Sequence, residues 1–174
     1  IDGVAIINSS DLNGERIAKE TVAKVLFFSK ESSNTIHFSK ADSTLKGING
    51  TILAGDFIYN IKSSLIGDFN KENILASVSV LHAMGLQSKA ITHGINSCAS
   101  IPGRLEIIKL SNEVDVVIDY AHTPDAYEKV LGTLKKLINK DNKIYVIFGA
   151  GGNRDRDKRP EMAKIAEIFC YKCF

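Results

Sequence analysis

The apolar positions near the start of the chain follow two spacings in turn. Val4 to Ile7 is an unbroken apolar run closed by the polar NSSD, the mark of a buried strand. From Leu12 to Lys24 the spacing lengthens, and Leu12, Ile17, Thr21, Val22 and Val25 fall near one face of a helix. VLFFS then reads as a strand again, so the opening predicts strand, helix, strand. Residues 35 to 66 change character. TIHFSK, TILAG, FIYNIK and SSLIG are short, β-rich and separated by Gly, Asn and Asp, which predicts short antiparallel strands. Asn70 to Met84 reads as a helix with Ile74, Leu75, Val78, Leu81 and His82 on one side and Gly85 as its C-cap. Ser88 to Asn96 predicts a second, shorter helix.

After CASIPGR the pattern restarts. RLEIIKL and DVVIDY predict strands, Pro124 to Ile138 a helix, KIYVIFGA a buried strand, and Pro160 onward a helix in which the chain stops at Phe174. The expected fold class is α/β, with a domain boundary near residues 102 to 110 and a division into 1–105 and 106–174. The start at Ile1 and the stop at Phe174 both read as cut ends.

Composition changes this picture mainly by exclusion. Among 174 residues, 44% are hydrophobic and 24% charged, enough for a sizeable core. A net charge of +2 is too small to imply nucleic acid or a membrane surface on its own, and neither is expected as a partner. No apolar run approaches the roughly 20 residues of a membrane span. Cys98, Cys170 and Cys173 are too few for a disulfide scaffold, so the expectation is a cytoplasmic protein with reduced thiols. Cys170 and Cys173 have CxxC spacing, but no second pair completes a zinc site.

In an α/β sheet, ligands gather beyond the carboxyl ends of strands. Two such ends are unusually polar here. In VVIDYAHTPDAY, Asp119 closes a strand and Thr123-Pro124 opens a helix, so Asp119 and His122 stand beside a helix N-terminus, where anions are favoured. A capped turn with a solvated Asp and His explains the same residues. In FGAGGNRDRDKRP, glycines at 149, 151 and 152 precede six consecutive charged residues, Arg154 to Arg159. Glycines bring backbone close to a ligand, and Arg154, Arg156, Lys158 and Arg159 suit an anionic one, although a solvated run with internal Arg–Asp pairing is the plainer alternative. Asn70 and Asn73 lie three apart at a helix start, where Asn is most often a cap. Arg104 in PGR is a weak signal alone. No GxxxxGK[ST] loop occurs, and His37, His82 and His93 have no metal-ligand company.

Taken in order, GDFNKENILAS, IPGRLE, VDVVIDYAHTPDAYEKVL and VIFGAGGNRDRDKRPEMAKIAE resemble the Mur ligases of peptidoglycan synthesis. The resemblance is strongest from Ser64 to Ala166, and closest to the members that add meso-diaminopimelate or lysine to UDP-N-acetylmuramoyl-alanyl-glutamate. It implies the latter half of a central ATP-binding domain at 1–105 and the first part of a Rossmann-like C-terminal domain at 106–174. It also implies ATP and magnesium, an acyl phosphate on the substrate carboxylate, and attack by the incoming amine. By resemblance, Asn70 and Asn73 hold adenine and Asp119 binds the ribose hydroxyls. Arg104 reaches the terminal phosphates with His122 beside them, and these two are the catalytic candidates. Arg154 meets the carboxylate of the incoming amino acid. The family's GKT loop, magnesium ligands and carbamylated lysine are expected before Ile1, and its DNPR-type motif after Phe174, so the 174 residues alone are expected not to turn over. Two other readings compete: a folylpolyglutamate synthetase, against which GGNRDRDKRP argues, and a non-catalytic nucleotide- or anion-binding module.

Overall fold

The computed structural model describes residues 3–29, 36–110, 114–149, 151–152 and 155–174. The chain is mixed α/β and divides into two compact units, Ile1–Ala99 and Ser100–Phe174. Among the described residues no sheet contains strands of both. Among the described residues no helix is long and apolar enough to cross a membrane.

In the first unit, β1 (Val4–Asn8) and β2 (Lys24–Phe28) run parallel, joined by α1 (Gly14–Glu20). The helix is shorter than its apolar spacing predicts. Thr21 is already extended (φ −85°, ψ 141°), and its hydroxyl accepts from the Ala23 N–H at 3.2 Å, which diverts the backbone out of the helix. Leu12 is fully exposed and Val22 nearly so; neither joins an apolar face. The β-rich stretch is an antiparallel meander of β3 (His37–Thr44), β4 (Gly47–Ala54) and β5 (Phe57–Ser63). SSLIG is not a fourth strand. Ser63 is the last residue paired with β4, and beyond it the Ser64 hydroxyl turns to the Cys98 carbonyl at 2.9 Å.

Helix α2 (Asp68–Ala83) is the pillar of this unit, followed by α3 (Ser88–Ser97). Gly85 adopts φ 76°, and the Leu86 N–H reaches the Leu81 carbonyl at 3.2 Å, a Schellman stop that needs a residue free of Cβ penalty. The inner face of α2, with Ile74, Leu75 and Val78, packs into one core with Ile48, Ile52, Tyr59, Ile61 and Ile91. Full burial of each such side chain contributes about 1.5–3 kcal/mol, whereas an exposed pair such as Lys129–Asp125 of the second unit contributes roughly 0–1 kcal/mol, so the core decides stability. His82 is a satisfied histidine, its Nδ1 lying 2.8 Å from the hydroxyl of buried Tyr59.

In the second unit, β6 (Glu106–Lys109) pairs antiparallel with β7 (Asp115–Ile118), and α4 (Pro124–Leu137) follows. The Thr123 hydroxyl accepts from the Ala126 N–H at 3.4 Å with Pro124 in the first turn, as the sequence predicts. KIYVIFGA gives only a short strand, β8 (Tyr145–Val146), and is not buried on both faces. Ile144, Val146 and Phe148 pack on Tyr127 and Leu131 of α4 and on Met162 and Ala166 of α5 (Lys158–Phe169), while Ile147 is 86% exposed, because helices cover one face alone. The chain end differs from the expected continuous helix. At Cys170 the backbone becomes extended (φ −107°, ψ 149°), and β9 (Lys172–Cys173) lies parallel to β8. The Tyr171 N–H to Ile144 carbonyl bond at 2.8 Å and the Phe174 N–H to Val146 carbonyl bond at 2.9 Å satisfy backbone that a longer helix would leave elsewhere.

Cys170 and Cys173 are free thiols. Burial, with the neighbouring Cys173 thiol adding to it, pushes the Cys170 thiol from its ordinary 9.0 up to about 11. Burial also raises the Tyr127 phenol, whose oxygen has no partner among the described residues. These groups are inert at neutral pH.

Two outcomes follow from the cores. Leu75→Ala removes a fully buried side chain from the first core and lowers unfolding free energy by about 2–5 kcal/mol, read as an earlier urea midpoint. In the second, the folded state holds the Cys170 proton more tightly than the unfolded chain. That contribution is whole below pH 9.0 and drains as pH rises toward about 11, so Cys170→Ala flattens the alkaline limb of a stability-against-pH curve.

Candidate functional site

Three of the residues singled out in the sequence meet at one end of the β6–β7 ladder. Ahead of β6, Gly103 takes φ 68° and Leu105, a buried non-glycine, takes φ 44°. Such a conformation costs of the order of 1–3 kcal/mol and persists where neighbours over-determine it. Here the Gly103 N–H donates to Glu106 Oε2 at 2.9 Å and the Leu105 N–H to Asp119 Oδ2 at 2.8 Å. The other Asp119 oxygen accepts from the Ala121 N–H at 2.7 Å. Asp119 therefore ties two loops together through one carboxylate, and Arg104 sits exposed at the tip of the first.

His122 lies on the second loop. Its Nδ1 is 3.1 Å from the Tyr120 carbonyl. A carbonyl only accepts, so Nδ1 carries the proton and Nε2 is the ring nitrogen left to a ligand. Both catalytic candidates lie against the Tyr120 ring. The Arg104 guanidinium carbon is 5.5 Å from its centroid and the His122 ring 5.1 Å, edge-on. Lys158 Nζ donates to the His122 carbonyl at 3.1 Å, bringing the start of α5 to this loop. The helix opens at Lys158, two residues before the expected Pro160. Lys158 and Arg159 thus stand at a helix N-terminus, where a cation is disfavoured by about 0.3–1 kcal/mol unless an anion answers it. The Arg159 guanidinium bonds the Gly152 carbonyl. Arg154 lies outside the described residues.

Asn70 and Asn73 belong to the other unit, at the start of α2. Neither is the cap, which is Gly67. Asn70 is 2% exposed; its Nδ2 donates to the Ile66 carbonyl at 2.8 Å and its Oδ1 accepts from Asn73 Nδ2 at 3.0 Å. Asn70 is thus a buried prop that aims exposed Asn73, whose own Oδ1 is not used in that bond. A shallow groove of about 430 Å³ between β5 and α3, lined by Asn60, Lys89, His93 and Asn96 among others, contains none of the candidates. Asn96 there is structural, accepting from the Lys62 N–H at 2.8 Å and donating to the Asn60 carbonyl at 3.2 Å along the sheet edge. Among the described residues no three His, Cys, Asp or Glu groups converge to hold a metal.

Sequence reasoning missed Tyr120 and the tie from Asp119 to Leu105. The signal was present but non-local: the register that pairs Glu106 with Ile118, carried two residues further, sets Arg104 opposite Tyr120 and Leu105 opposite Asp119.

An α/β chain with a polar loop cluster at one strand end is a widespread design, and comparison with known proteins narrows it. The Mur ligase middle domain matches residues 1–81, and the Mur ligase glutamate ligase domain matches residues 103–173. The chain belongs to the Mur ligase family. A relative from Geobacter metallireducens, UDP-N-acetylmuramoyl-L-alanyl-D-glutamate--2,6-diaminopimelate ligase, is 39% identical over 165 residues, covering 95% of this chain and 32% of its own length. A solved structure of a ligase of that name superposes with a TM-score of 0.70 at 31% identity, covering 98% of this chain and 36% of that one. Folylpolyglutamate synthetase from Lactobacillus casei shares the fold, with a TM-score of 0.74 at 20% identity over 97% of this chain and 41% of its own. The chain spans about a third of the length of the curated relatives it matches.

The Asp119 tie can be tested without turnover. Asp119→Asn replaces one acceptor oxygen by a donor and leaves an N–H unmatched, a loss of about 1–3 kcal/mol. The expected outcome is faster amide hydrogen exchange at Leu105 and Ala121 with protection in α4 unchanged.

Proposed function

We propose that the chain is part of an ATP-dependent ligase of peptidoglycan synthesis, joining 2,6-diaminopimelate to UDP-N-acetylmuramoyl-L-alanyl-D-glutamate. The observation that carries this is the convergence of Arg104, Asp119 and His122 at one strand end in a chain aligned over 95% of its length with ligases of that name. Lysine as the added amino acid is the runner-up. The likeness to folylpolyglutamate synthetase is one of fold, and the relatives' identity favours the Mur ligase reading.

In this reading ATP is a co-substrate that activates the carboxylate of the nucleotide-linked dipeptide. The residues of the second unit fit the sugar and phosphates of a nucleotide, and those of the first unit are suited by their chemistry to its base. Arg104 presents a planar cation with five donors, and His122, against the same Tyr120 ring, keeps Nε2 outside its carbonyl bond, so both suit an oxyanion. Asn73 presents an amide to the base, steadied from beneath by Asn70. Asp119 retains lone pairs for ribose hydroxyls after its two backbone bonds. Arg154 meets the carboxylate of the incoming amino acid by resemblance. Magnesium would neutralise phosphate charge; among the described residues no cluster forms a site for it.

The roles predict distinct kinetics in the full-length ligase. Asn73→Ala touches the base, which changes little in the reaction, so it raises the KM for ATP with kcat nearly kept. Arg104→Ala lowers kcat by roughly 10²- to 10³-fold, the scale of one lost donor to developing charge. Asp119→Ala does both, since its carboxylate also holds the Arg104 turn. Steady-state assays of amide product with ATP varied check this, and equal kcat losses for Asn73→Ala and Arg104→Ala at unchanged KM would contradict it.

A further inference from the structure

We propose that Tyr120 is a positioning residue that holds Arg104 and His122 in one fixed arrangement, an inference that rests on the nucleotide-facing reading of this loop. Tyr120 is 66% exposed and belongs to neither buried cluster, so packing does not explain a large aromatic ring at this place. What it touches does. One contact is the Arg104 guanidinium, 5.5 Å from the ring centroid, a distance at which an aromatic face attracts a cation. A second is the His122 ring, edge-on at 5.1 Å. The third is through its own carbonyl, which accepts from His122 Nδ1 at 3.1 Å and so decides which imidazole nitrogen is presented.

These contacts follow from the strands. Arg104 lies across the extended β6–β7 register from Tyr120, and His122 follows Tyr120 by two residues. Arg104 otherwise hangs on a turn with two positive-φ residues, Gly103 and Leu105, which the Asp119 and Glu106 carboxylates hold by the backbone. Those bonds place the turn but leave the long arginine side chain its rotamers. The tyrosine ring restricts them, and the same ring limits rotation of the imidazole. Preorganised donors need no reorganisation as charge develops on a transferring phosphoryl group, so ordering these two side chains beforehand serves the step directly.

The test uses the full-length ligase with Tyr120→Leu and Tyr120→Phe, each alone and with Arg104→Ala. Tyr120→Leu is expected to lower kcat by about tenfold or more at nearly unchanged KM for ATP and unchanged thermal unfolding, since a small misplacement of a reacting group costs up to about a hundredfold. Tyr120→Phe keeps the ring and the backbone carbonyl, and activity stays within about twofold. In the Arg104→Ala background Tyr120→Leu adds much less than it does alone, because the groups act as a unit. A measurement independent of turnover is the NMR resonance of the His122 imidazole Cε1–H, which shifts in Tyr120→Leu and holds in Tyr120→Phe. A Tyr120→Leu enzyme as active as the parent overturns the assignment. So does a full Tyr120 effect without Arg104, an unmoved His122 resonance, or a stability loss that accounts for the activity. Absence of ATP-dependent ligation in the unmodified protein overturns the ligase reading instead, and the His122 resonance still decides the contact.

Discussion

Two backbone N–H groups, those of Leu105 and Ala121, converge on the Asp119 carboxylate, and the candidate site depends on that tie. Without it the Leu105 backbone has no evident reason to sit at φ 44°, a conformation ordinary non-glycine residues avoid. With it, the turn before β6 and the loop after β7 become one piece, and the side chains of Arg104, Tyr120 and His122 project from a shared frame. A charged acceptor suits this role, because its bonds to N–H groups are roughly twice as strong as neutral ones. The same carboxylate belongs to the residue proposed to face the ribose, so in that reading one group would hold both the loop and the ligand.

The frame is supported from below by an apolar layer. Ala121, between Tyr120 and His122, packs against the cluster built by Tyr127 and Leu131 of α4 and by Met162 and Ala166 of α5. The site's polar atoms therefore sit at the rim of a core, where backbone is rigid and side chains reach solvent. Lys158 anchors the start of α5 to the His122 carbonyl. In the first unit the same economy recurs on a smaller scale. Buried Asn70 spends its amide on Ile66 and on Asn73, and the exposed amide is oriented by the hidden one.

Much of the fold was legible along the chain. The α2 periodicity, the Gly85 stop and the Thr123 cap all act within four or five residues, the range over which side-chain spacing and capping report structure. The meander was legible because Gly55-Asp56 and its neighbours break short apolar runs at hairpin spacing. Errors arose where local signals were outvoted. The apolar spacing around α1 overstated the helix, since Thr21 redirects the backbone and Leu12 stays in solvent. SSLIG has strand composition but no strand to pair with, and the final FCYKCF leaves helix because β8 offers an edge to pair with.

By itself the sequence determined the α/β class, the family through ordered motifs, and the chemical kinds present at the site: an arginine, a carboxylate, an imidazole and a pair of amides. Those depend on residue identity and short-range spacing, which a single chain displays in full. The tertiary structure alone decided how they are used. It made Asn70 a buried prop beneath Asn73, turned Asp119 into a tie between loops, and set Tyr120 against Arg104 and His122. The Asp119 tie to Leu105 and the Tyr120 contact with Arg104 depend on the β6–β7 register, which joins residues more than a dozen positions apart. Hydrophobic periodicity shows which face of a strand is buried; it carries no information on which residue of another strand lies opposite, and that choice is made only when the strands pair.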